Sequence, residues 1–128
     1  MTPTRNRKYK IKINPYGAEL TVILSSNPDR TAHKLEQNDK KVSQVNPVTL
    51  NDFFIYDNPD SKEYFLVFPL MPNADSIAHE AFHVVRKLLF TSDVKLTNAS
   101  EESWAYLMGW VVGEITDKVT KANKRRKA

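Results

Sequence analysis

Two stretches near the N-terminus alternate apolar and polar positions with the two-residue period of a strand. In YKIKIN (9–14), Tyr9, Ile11 and Ile13 stand against lysines; in ELTVIL (19–24), Leu20, Val22 and Leu24 stand against Glu19, Thr21 and Ile23. Pro15, Tyr16 and Gly17 lie between them and predict a hairpin. Residues 25–47 are polar, with Asn27-Pro28 as a helix start and Ala32 and Leu35 as apolar anchors, which predicts an exposed helix near 28–41. FFIY (53–56) and EYFLVFP (63–69) are aromatic-rich and flank Asn58-Pro59-Asp60-Ser61, a turn sequence, so a second hairpin is expected.

The second half changes period. From Asp75 to about Phe90 almost every position is apolar or small, apart from Ser76, His79, Glu80, His83, Arg86 and Lys87, predicting a helix buried over most of its surface. After TSDVKLT a second helix is expected from about Ala99 to Val119. Asn98 would cap it, with Glu101 at capping-box spacing. Strands followed by two long helices predict an α+β domain in which a small antiparallel sheet of two hairpins packs on those helices.

Composition narrows the class. The chain has 128 residues, 41% of them hydrophobic, enough for one modest core. No apolar run approaches a membrane span, and MTPTRNRKYK has no apolar segment behind its basic residues. No secretory signal is expected, and the cytoplasm is the expected location. Cysteine is absent, so a metal site would have to use His, Asp or Glu. The net charge of +4 is unevenly spread: residues 1–12 hold five basic groups and 118–128 hold six, with no acid in either stretch, leaving a body of net −7. Residues 1–8 are expected to be a basic flexible N-terminus, 9–118 a single domain and 119–128 a basic tail. Such ends keep a small protein soluble or attract nucleic acid or an acidic surface weakly.

The stretch SIAHEAFHVV (76–85) carries candidate chemistry. His79 and His83 lie one helical turn apart on one face, so both imidazoles can reach one ion, and Glu80 stands beside them as a base for a metal-bound water. The alternative is a helix with two hydrogen-bonded histidines. Glu102 follows His83 after eighteen residues, in E101-E102-S103-W104-A105-Y106-L107.

With that spacing the chain resembles the gluzincin zinc metallopeptidases of the aminopeptidase branch. It is also similar to small metallopeptidase-like proteins of tailed bacteriophages, which pair an HE-x-F-H helix with an E-x-x-x-Y-L-x-G-x helix. The matching covers residues 79–113. The resemblance implies a minimal zincin-like fold, Zn2+ bound by His79, His83 and Glu102, Glu80 as general base, and hydrolysis of a peptide or protein substrate. Glu101 competes for the third ligand position, but its capping role and the stripe Glu102, Ala105, Tyr106, Gly109, Gly113 favour Glu102, the small residues letting the two helices approach closely. Tyr106 would orient the first histidine from behind, or else pack in the core. EYFLVFP is expected as an edge strand that holds extended substrate. Tyr9, Tyr16, Tyr56 and Tyr64 are candidate oxyanion donors, His33 is an exposed bystander, and Trp104 and Trp110 are core anchors. The chain is far smaller than well-studied gluzincins, so a silent zinc-binding accessory or structural protein of peptidase ancestry, or a metal-free basic-tailed adaptor, are the alternatives.

Overall fold

A computed structural model describes residues 4–14, 16–37, 41–42, 52–56 and 62–127. The alternating N-terminal stretches form β1 (Asn6–Ile13) and β2 (Ala18–Ser25), antiparallel, with Ile11 opposite Leu20. Gly17 takes φ 67° in the connection, a left-handed conformation that a residue without a Cβ adopts at little cost. Helix α1 (Pro28–Gln37) begins as its sequence predicts: Asn27 Oδ1 accepts from the Arg30 N–H at 3.2 Å, and Pro28 stands where no N–H is needed. A two-residue strand β3 (Lys41–Val42) pairs with β4 (Phe53–Tyr56), and β4 pairs antiparallel with β5 (Glu63–Pro69). The turn sequence Asn58-Pro59-Asp60-Ser61 lies outside the described residues.

Two expectations about the sheet are corrected. Its order is β1-β2-β5-β4-β3, and β2 runs parallel to β5, so the sheet is mixed rather than antiparallel. The long crossover containing α1 returns the chain to the starting end of β2, at the edge that β1 leaves open, which makes parallel pairing possible. EYFLVFP is therefore an interior strand between β2 and β4, with no free edge for a substrate strand.

Helices cover both faces. On one, Leu20, Val22, Leu24, Tyr64, Leu66 and Phe68 pack against α2 (Ala74–Thr91) and α3 (Glu101–Lys127). On the other, Ile23, Phe53 and Val67 pack under Ala32 of α1. Ile23 is thus buried although its phase assigned it to the polar side, because a helix from the crossover covers that side.

Helix α2 starts at Asn73, whose Oδ1 accepts from the Ser76 N–H at 2.9 Å. It ends in a Schellman motif: Asp93, at φ 61°, donates to Phe90 O at 3.0 Å, and Val94 donates to Leu89 O at 2.8 Å. That tight stop turns the chain toward α3. One broad face of α2 is buried, while His79, Phe82, Arg86 and Phe90 remain exposed, so the helix is less enclosed than its composition predicted. Helix α3 begins at Glu101, after a turn in which Ser100 donates to Thr97 O at 3.1 Å, so Asn98 is not its cap. It continues to Lys127, which makes the expected basic tail part of a helix; Lys121 Nζ reaches Asp117 one turn earlier at 3.0 Å. At the other end, residues 6–8 belong to β1 rather than to a loose N-terminus.

Gly109 and Gly113 are exposed, and a Cβ built on either meets nothing within 4 Å. They do not mediate the close helix approach expected of them; Leu107, Val111 and Ile115 form the buried face of α3 instead. Replacing Gly109 or Gly113 by alanine is expected to raise unfolding stability by about 0.5–1 kcal/mol each, through helix propensity alone. Urea denaturation checks this, and a loss of stability would show that tight packing had been disturbed.

Candidate metal centre

The stripe Ser76, His79, Glu80, His83 recurs at i, i+3, i+4 and i+7 along α2, so its side chains line one side of the helix. That side meets the start of β4. Phe54 stacks on the His83 ring, centroids 5.9 Å apart and planes 9° from parallel, and Tyr64 stacks on Phe54 from the neighbouring strand, also at 5.9 Å. His79 and His83 meet edge to face, with ring centroids 5.0 Å apart. One potential ligand atom from each of His79, Glu80 and His83 lies within 4.8 Å of the other two, a spacing a single divalent ion can bridge with small rotamer adjustments. Glu80 Oε2 is 3.8 Å from His79 Nε2.

The electrostatics suit a metal. Burial, followed by the charges of His79 and Arg86, pushes the His83 imidazole below its ordinary value, keeping it neutral with a free lone pair. Glu80 is only 4% exposed. Desolvation, with the nearby Asp52 charge second, raises its carboxyl to about 7. Two imidazoles beside a buried carboxylate form a donor set that zinc accepts.

Glu102 does not join this group. It stands exposed on the first turn of α3 and lines a different cleft of about 480 Å³, together with Lys12, Tyr16, Tyr106 and Trp110. The rotation of α2 explains the separation. Val85 and Phe82 face α3, lining a hollow with Glu101 and Trp104, whereas His83, two residues from Val85, points about 160° away around the helix. Tyr106 is 76% exposed in the Glu102 cleft and makes no hydrogen bond to His79 among the described residues. Tyr16 lines that same cleft, and Tyr9 packs at the edge of the core. The Tyr56 side chain is outside the described residues. Tyr64 is buried under Phe54, where desolvation raises its hydroxyl pKa. His33 is exposed and 3.3 Å from Gln37 on α1, as expected of a bystander.

Asp52 is the residue that the sequence reading missed. It is 3% exposed, just before β4, and carries a hydrogen bond from Ser76. Burial raises its carboxyl, while the Ser76 bond and His79 work in the opposite direction. The available signal was the strand period, which places Asp52 on the same side as Phe54; which helix covers that side is not visible in the period.

Glu80 makes stability depend on pH in a defined direction. Its folded-state pKa lies above the unfolded value, so its contribution is fully present below about pH 4.5 and is lost as pH rises through about 7. Metal-free Glu80→Gln is therefore expected to match wild type near pH 4.5 and to be more stable at pH 8, by at most about 3 kcal/mol. Thermal melts in the presence of a chelator across this range check the sign; equal pH slopes for the two proteins would contradict it.

No protein-family model, curated protein or solved structure matches the chain.

Proposed function

We propose that the protein is a zinc-dependent peptidase, with His79 and His83 as metal ligands and Glu80 as general base. The observation that carries this reading is the convergence of two imidazoles and one buried carboxylate within 4.8 Å on a single helix face. When bound, zinc supplies Lewis acidity, lowering the pKa of a water and polarising a substrate carbonyl. Glu80 takes the proton from the attacking water and returns it to the departing amine. A carboxyl poised at about 7 can perform both transfers near neutral pH. Phe54 holds the His83 ring plane by stacking. With Glu80 kept as the base, His79 and His83 alone would hold the metal and would leave positions for a water and a substrate oxygen.

The substrate is a peptide or protein and the setting is the cytoplasm; among the described residues no helix is long and apolar enough to cross a membrane. The position of Glu102 favours a second reading, a zinc-holding accessory or structural protein that cleaves nothing, because the centre has fewer protein ligands than its motif implied.

Purified wild-type protein is expected to hold one zinc per chain by metal analysis and to cleave members of a mixed peptide library. Glu80→Gln should keep the metal and lose about 10²- to 10⁴-fold in cleavage rate. Zinc binding without cleavage by wild type would select the accessory reading, and no zinc would end both.

A further inference from the structure

We infer that Asp52 is a positioning residue of this metal centre: its carboxylate oxygen Oδ2 holds the His79 ring through one bridging water, and thereby sets which ring nitrogen is presented to the metal. The inference rests on the metal reading of His79 and His83 given above.

The argument begins with an unsatisfied atom. Asp52 Oδ2 is buried and has no hydrogen-bond partner among the described residues, although Ser76 engages the carboxylate. A buried carboxylate oxygen left unpaired is costly and persists where another requirement offsets it. The surroundings show what that requirement is. Asp52 precedes Phe54 by two positions, so it lies beneath the same helix face as the Phe54–His83 stack. The His79 ring acts electrostatically on Asp52, and the Asp52 charge in turn acts on Glu80, so Asp52 stands beside one proposed ligand and the proposed base.

His79 is the partner that the chemistry prefers. A bond to Glu80 requires one of the two carboxyls to keep a proton, whereas a neutral imidazole always carries one N–H to give. His83 is already oriented by Phe54, while His79 has a partly exposed ring and a contact of 3.8 Å to Glu80, too long for a hydrogen bond. A carboxylate behind a histidine ligand fixes its tautomer and increases its basicity. Asp52 meets that description from the segment leading into β4, whereas the resemblance implies an orienting group on the second helix, at Tyr106.

The test combines zinc affinity, measured by competition with a chromophoric chelator, with nitrogen-15 correlation spectra of the His79 ring. Wild type is expected to show a single His79 tautomer. Asp52→Asn, of nearly the same shape, should populate both tautomers and bind zinc about 10- to 100-fold more weakly, while Glu102→Gln binds as wild type does. A wild-type His79 populating both tautomers overturns the inference whether or not the Asp52 variant folds. Unchanged zinc affinity and an unchanged tautomer in folded Asp52→Asn overturn it as well. Wild type that takes up no zinc, but whose single His79 tautomer disappears in Asp52→Asn, upholds the Asp52 contact and removes the metal reading; with no zinc and no fixed tautomer, both fall.

Discussion

Ile77, Ala81, Val84, Leu88 and Leu89 of α2 are buried to within a few per cent in one core with Leu20, Val22, Leu66 and Phe68 of the sheet, and this packing fixes the rotation of α2 about its axis. A helix with a broad apolar face has one favourable azimuth, because turning it by even one residue exposes several large side chains at about 1.5–3 kcal/mol each. Everything else at the candidate centre follows from that azimuth. Ser76, His79, Glu80 and His83 are carried to the β4 side, and Phe82 and Val85 are carried to α3.

The same packing places two carboxyls where water is scarce. Asp52 and Glu80 are both almost fully buried, and desolvation dominates the upward displacement of each. Two hydrophobic residues of similar size would stabilise this fold better than two buried acids, of which Asp52 alone is engaged by Ser76 among the described residues. The fold therefore gives up stability at this position, as functional sites commonly do. A divalent cation beside His79 and His83 would offset the cost, since it would bring positive charge to the two buried carboxyls.

Helix α3 serves a different end of the molecule. Its apolar row Leu107, Val111, Ile115, Val119 closes the core over the β1 side, and its first turn opens onto the cleft beside the β1–β2 connection. Motif spacing along the chain and proximity in space separate here. Eighteen intervening residues measure contour length only; the Schellman turn at Asp93 and the face by which α3 docks decide where a carboxylate at position 102 ends up.

Local physics was legible in the linear chain. The alternation in 9–14 and 19–24 determined a hairpin, Asn27-Pro28 determined the start of α1, and the two C-terminal helices were recognisable from their apolar period. The spacing of His79, Glu80 and His83 also needed no tertiary information, because a helix alone puts i and i+4 on one side. The sequence could not disclose the parallel pairing of β2 with β5, the burial of Ile23 beneath α1, the burial of Asp52, or the exclusion of Glu102 from the group around the imidazole pair. Those depend on which surfaces meet, and contacts between segments distant in the chain are chosen by the whole core at once, whereas periodicity reports only the inward side of each segment.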